Sequence, residues 1–259
     1  MTIELLLRVI GYLSLLGAIA YVLYLIAPPH VIERLQARLD TLRQGALRLN
    51  ALRLGSDAEN PLDLPAWGRY MSDLEGYDSE HAARISMLAR KLGQAAALPP
   101  DVLDSLSQAG YLHDLGQEDL APTLAKPAPL TPAEREALRE HPLLGERMVH
   151  EIGLPSAPAL WVRWHHEKVD GTGYPDGLMG EAIPLPARVL AIAEAYEAFT
   201  HRRPYREALE PDEAMAELQR LAGIAYDSML VRLFAERVYP ELLEASTRGT
   251  GPLGASDPH

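Results

Sequence analysis

The sequence predicts an all-helical domain, on three observations. From about residue 67 to residue 246, apolar residues recur three and four positions apart, the spacing that lines one face of a helix. No segment in that range sustains the apolar-polar alternation between hairpin turns that marks a strand. Helix-start chemistry is also present: Thr131-Pro132-Ala133-Glu134 forms a capping box with proline at the first helical position.

The elements follow in chain order. Residues 9 to 27, VIGYLSLLGAIAYVLYLIA, carry no charge and would span roughly 28 Å as a helix, about the thickness of a bilayer's hydrocarbon core. A cleaved signal peptide competes, because Ala18-Ile19-Ala20 is a small-x-small site. The apolar run continues well beyond that site, which favours an uncleaved membrane anchor over residues 1 to 29. Arg8 alone precedes the run while Arg34, Arg38 and Arg43 follow it, so the rest of the chain is expected on the cytoplasmic side of a single-pass cell-membrane protein.

Residues 30 to 54 place Ile32, Leu35, Leu39, Leu42 and Leu47 at helical spacing, an amphipathic juxtamembrane helix able to lie on lipid or to pair with a second copy. Glu33 and Asp40 interrupt its basic face and weaken the lipid reading. Residues 55 to 66 are a linker by composition. In the domain, 67 to 246, helices are predicted at about 78–94, 100–115, 132–141, 142–152, 157–167, 185–200, 211–222 and 228–245. The tail, 247 to 259, has the composition of a disordered segment.

Composition narrows the chemistry. Cysteine is absent, so disulfides and thiolate metal sites are excluded and any metal must be held by nitrogen and oxygen. A net charge of −12 argues against a protein that coats a long nucleic acid, whose affinity comes from basic residues on phosphates. A small anionic ligand in a locally basic pocket stays open.

The nine histidines are the most informative residues. His81 falls in register with Ile85, Leu88 and Leu92, and His113 with Leu106 and Ala109 or Gly110, so both point toward the core. Trp161 stacks over His165 and Val162 over His166 by the i to i+4 rule, and His141 ends another helix. One such histidine is more often an ordinary core residue. Four helices each delivering one, with Asp114 beside His113, would be costly to bury without a shared partner. A metal site supplies it, and imidazoles with carboxylates suit iron, manganese, zinc or nickel better than magnesium or calcium.

Five histidines and two carboxylates exceed one ion's coordination sphere. Two divalent ions bridged by Asp114 would use the set, and a bridged pair favours displacement at phosphorus, hence phosphoester hydrolysis. The last carboxylate is expected on 187–206, where Glu194 and Glu197 interrupt an apolar helix; an exposed pair on the solvent face is the competing reading. Arg202, Arg203 and Arg206 follow, and guanidinium forks suit a phosphate-bearing ligand. The glycines of the 170–175 loop allow a sharp turn, and Tyr174 could stack on a base.

These segments, YLHDLGQ at 111–117, HP at 141, the run from His165 to Thr200 and RPYR at 203–206, resemble in order and spacing the HD-GYP family of cyclic di-GMP phosphodiesterases. The resemblance covers roughly 72 to 240. It implies an HD-type helical fold, a binuclear or trinuclear metal centre, and hydrolysis of cyclic di-GMP to the linear dinucleotide or to GMP through a metal-bridging hydroxide. By position, the implied ligands are His81, His113, Asp114, His141, His165, His166 and Glu194. The implied substrate contacts are Gly173, Tyr174, Pro175, Arg203 and Arg206.

Three positions depart from the family pattern. Gln117 stands where the family usually has a lysine that contacts substrate phosphate, removing a charge at a catalytic position. Glu194 replaces an aspartate. Tyr77 stands where the trimetal subset has a glutamate, so two metals are expected. The first two departures leave two outcomes open: a phosphodiesterase, or a domain that binds cyclic di-GMP or a signalling partner without hydrolysis.

Overall fold

The computed structural model describes residues 63–120, 123, 128–202 and 207–247. The predicted membrane span, the juxtamembrane helix, the tail beyond residue 247 and the Arg203 and Arg206 contacts lie outside the described residues. Among those described, no helix is long and apolar enough to cross a membrane.

The described chain is helical, and two isolated bridges, Asp170 with Met179 and Ala222 with Tyr226, are its only β-type pairings. The first helix, α1 (Leu64–Glu75), begins inside the stretch expected to be linker. Asp63 caps it by accepting the Ala66 amide at 3.0 Å, Pro65 sits in its first turn, and Gly76 ends it in the left-handed conformation at φ 74°. Linker composition hid it because its anchors are sparse. Trp67 and Met71, one turn apart, are both buried, and each contributes about 1.5–3 kcal/mol to the core.

The predicted helices appear close to their expected bounds. They are α2 (His81–Ala95), α3 (Pro100–Leu112), α4 (Pro132–Leu138), α5 (His141–Glu151), α6 (Ser156–Trp164), α7 (Leu185–Thr200), α8 (Pro211–Arg220) and α9 (Ser228–Leu233). A π-helical turn (Phe234–Val238) then leads into α10 (Tyr239–Thr247), so the single helix expected over 228–245 is interrupted. The capping box of α4 forms both ways: Thr131 accepts the Glu134 amide, and Glu134 accepts the Thr131 amide at 2.7 Å. Among the helices that stop short of their expected ends, α3 at Leu112 and α6 at Trp164 have histidines as the next residues.

The core forms where α2, α3 and α7 pack together, with α6 against α3 and α5 against α6. Helix α7 is apolar nearly all round, and Ala187, Val189, Leu190, Ile192 and Ala193 are buried on it. Such a helix runs through the middle of a domain, so a carboxylate on it must find partners.

Helices α2 and α3 approach closely at Gly110. A Cβ there would lie 2.6 Å from the Ser86 Cα, which is backbone and cannot swing aside. Gly110→Ala is therefore expected to cost about 1–3 kcal/mol through overpacking. A urea unfolding midpoint equal to wild type would show that the helices separate without cost.

Candidate metal centre

The residues expected to bind metal sit at helix ends that converge on one point. His81 opens α2 and His141 opens α5, while His113 and His165 are the first residues past α3 and α6. The last carbonyls of a helix lack an intrahelical donor. Three of the histidines use them: His113 Nδ1 lies 2.9 Å from the Gly110 oxygen, His141 Nδ1 2.7 Å from that of Leu138, and His165 Nδ1 2.5 Å from that of Val162. A carbonyl only accepts, so each Nδ1 carries the hydrogen. Each Nε2 is then left with a lone pair facing the interior, the arrangement of a metal-ligating imidazole.

Two groups result. His81, His113 and Asp114 form one; His141, His165 and His166 form the other, and within each the candidate ligand atoms lie within 4.8 Å of one another. Asp114 faces both. Its Oδ2 lies 2.9 Å from His113 Nε2 and 3.8 Å from His81 Nε2, while its Oδ1 lies 3.6 Å from His141 Nε2. Across the second group, His141 Nε2 and His165 Nε2 are 3.3 Å apart. His113 Nε2 is buried and makes no hydrogen bond. Two lone pairs facing each other, and a buried ring nitrogen without a hydrogen-bond partner, fit a bound cation. The donor set therefore fits the two-ion expectation.

Glu194 comes from α7 at the edge of the second group, its Oε2 3.8 Å from His165 Nε2 and 4.0 Å from the half-buried His166. Gln117 is buried and donates its amide to Asp114 Oδ1. A Cβ on Gly116 would lie 2.1 Å from the His141 carbonyl oxygen, so only glycine lets the turn after His113 press against α5.

Electrostatics match the geometry. Burial drives the His141 pKa down to about 3, with His166 adding repulsion, and His165 falls well below its ordinary value for the same reasons. Both rings are thus neutral and able to donate a lone pair. Burial would raise Asp114, but His113, His81 and His141 together outweigh it and hold the carboxyl well below its usual range.

The loop from Asp170 to Leu178 is held against this centre by Glu167, which is buried directly after the histidine pair. Its Oε1 accepts the amides of Asp176 at 2.7 Å and Gly177 at 3.0 Å, and its Oε2 accepts that of Leu178 at 3.0 Å. Arg163 and Trp164 clasp the Asp176 carboxylate from α6. Gly173 passes so close that a Cβ would lie 2.3 Å from the Lys168 nitrogen. Tyr174, before a cis bond to Pro175, tilts over His166 with ring centroids 4.9 Å apart, and the Arg139 guanidinium stands 4.6 Å from the Tyr174 centroid. A cleft beside the loop is lined by His165, His166, Lys168, Glu194 and Tyr226.

The structure thus brings the expected histidines, Asp114, Gln117 and Glu194 together, whereas Arg202, read with the phosphate cluster, is exposed and paired with Glu207 at 3.2 Å. Three features are not fully legible in the sequence. Glu167 is legible as an acid beside paired histidines, but the three backbone amides that donate to it are not. Arg139 carried no signal. Glu197 was seen on α7, where an exposed pair with Glu194 was the competing reading; it is instead buried against His81 and Arg84.

The HD domain family model matches residues 72–230, and the chain belongs to that family. The chain is 32% identical over 205 residues to the cyclic di-GMP phosphodiesterase response regulator RpfG of Xanthomonas campestris, covering 76% of this chain and 54% of that protein. It is 36% identical over 168 residues to the cyclic di-GMP phosphodiesterase PA4108 of Pseudomonas aeruginosa, covering 63% and 40%. Within the HD family it is an HD-GYP domain.

In fold it resembles a cyclic GMP-AMP-specific phosphodiesterase of Vibrio cholerae, with a TM-score of 0.56 at 19% identity over 75% of this chain and 51% of that one. Bd1817 of Bdellovibrio bacteriovorus, described as an HD-GYP-type protein, gives 0.51 at 17% identity over 72% and 66%. The chain spans about half the length of RpfG.

Glu167→Ala would leave three amides of the loop without their acceptor, at about 1–3 kcal/mol for each buried group left unmet. The amides of Asp176, Gly177 and Leu178 are expected to exchange hydrogen at least about tenfold faster, while those of α2 and α3 stay as in wild type. Unchanged exchange at the three amides would show that the loop is held by other contacts.

Proposed function

We propose that the chain is a metal-dependent phosphodiesterase that hydrolyses cyclic di-GMP to the linear dinucleotide or to GMP. The observation that carries this reading is Asp114, whose two oxygens face two separate groups of imidazoles. His81, His113 and Asp114 would hold one ion. His141, His165 and His166, with Glu194 and the other Asp114 oxygen, would hold the second. Iron or manganese suits these donors best, with zinc and nickel also compatible. Such a pair, when bound, lowers the pKa of water and stabilises the attacking and leaving oxygens of a displacement at phosphorus.

The chain's own residues orient the substrate. Gly173, Tyr174 and Pro175 form the loop whose Tyr174 ring lies against His166 and would offer an aromatic surface to a guanine, and Arg203 and Arg206 are assigned to phosphate by their place in the sequence. Relatives are named for cyclic di-GMP or for 3'3'-cGAMP, so both are candidate substrates. The uncharged run at 9–27 and the arginines after it support a single-pass membrane anchor with the domain in the cytoplasm, and the leucine spacing of 30–54 supports pairing with a second copy or a signalling partner.

A second reading, binding of cyclic di-GMP without turnover, is favoured by Gln117. Its amide occupies the Asp114 oxygen that faces the second group and brings no charge for the phosphate. Product analysis with iron- or manganese-loaded protein separates the two. Turnover of cyclic di-GMP by the wild type is expected, raised about tenfold, or about 1.4 kcal/mol in the barrier, by Gln117→Lys. A wild type that binds cyclic di-GMP and leaves it intact, while Gln117→Lys or Glu194→Asp cleaves it, would assign the second reading.

A further inference from the structure

Four of the site's histidines are buried: His81, His113, His141 and His165. Three of them are oriented by a neutral backbone carbonyl. His81 is oriented by a carboxylate, its Nδ1 2.8 Å from Glu197 Oε2. Glu197 is 1% exposed on the apolar helix α7, and its other oxygen accepts from Arg84 Nε at 3.2 Å and Nη2 at 2.6 Å. Arg84 is itself fixed by Asp78, with its two terminal nitrogens each 2.6 Å from an Asp78 oxygen. His201 adds a contact from the end of α7, its Nδ1 3.6 Å from Glu197 Oε1. A chain of contacts thus runs from the half-exposed Asp78 through Arg84 and Glu197 to His81, and from His81 Nε2 to Asp114.

A buried carboxylate on an apolar helix is costly unless paired, and here it is paired on both oxygens. Its role follows from what each partner requires. Arg84 can only donate, so the Glu197 oxygen it faces accepts. The oxygen facing His81 accepts as well, which keeps the hydrogen on Nδ1 and the lone pair on Nε2. A carboxylate partner also makes an imidazole a stronger donor to metal than a carbonyl does. The two groups of ligands are therefore unequal by construction.

We propose that Glu197, held by Arg84, is the positioning residue that fixes the tautomer of His81 and makes the His81–His113–Asp114 position the tighter of the two metal positions. The proposal rests on the two-metal reading above, but its test is separate. Glu197→Gln keeps the shape of the side chain and offers one oxygen where two acceptors are needed, so the amide must fail either Arg84 or His81.

The experiment titrates manganese into metal-free full-chain protein, wild type and Glu197→Gln, and reads free ion by electron paramagnetic resonance. The wild type is expected to fill in two steps, and the variant to lose about 10- to 100-fold in the tighter step with the weaker step unchanged. Long-range nitrogen-proton correlation on the metal-free wild type reads the His81 tautomer directly and does not depend on the variant folding. A hydrogen on Nδ1 supports the proposal. A hydrogen on Nε2, two steps that both shift, or two steps that both stay as in wild type would overturn it. A wild type that takes up a single ion would instead overturn the two-metal reading, and cyclic di-GMP turnover does not enter the comparison.

Discussion

The arrangement of this domain depends on one carboxylate facing two ways. Asp114 follows the C-terminal end of α3, with one oxygen toward His81 and His113 and the other toward His141. That position requires α2, α5 and α6 to end or begin within a few ångströms of the same point. The close glycine contacts serve it. Gly110 sets the spacing of α2 and α3, and Gly116 sets that of the turn after Asp114 against α5. Stability and chemistry meet there, because burying four imidazoles and their carboxylates is unfavourable until a cation satisfies them.

Helix ends do more than bring the side chains together. An unsatisfied terminal carbonyl is a liability in most folds, yet here three of them fix the ring orientation and tautomer of a ligand. Glu167 applies the same economy in reverse, one buried carboxylate satisfying three loop amides. The loop carrying Tyr174 is thus anchored by Glu167 beside the second histidine group.

Much of this was legible in the sequence, for identifiable reasons. Periodicity places His81 with Ile85 and Leu88 because a buried stripe must repeat at helical spacing, and the capping box at Thr131 is local chemistry complete within four residues. The helix α1 was not legible, because its buried anchors, Trp67 and Met71, stand among prolines, glycines and aspartates. Nor was the partner of Glu197. An acid on an apolar helix signals that a partner exists, but Arg84 lies 113 residues away in sequence and only tertiary packing names it. The early ends of α3 and α6 were hidden too, since the histidines that follow them continue the helical pattern.

On the proposed function, Asp114 joins two metal positions into one centre. Elemental analysis of the purified full chain and of Asp114→Asn, both loaded with manganese and then dialysed, tests it most directly. Two ions per wild-type chain and at most one per variant chain are expected, with the variant's helical circular dichroism retained. Two ions per chain in both proteins would contradict it, because the amide's remaining oxygen cannot serve both groups.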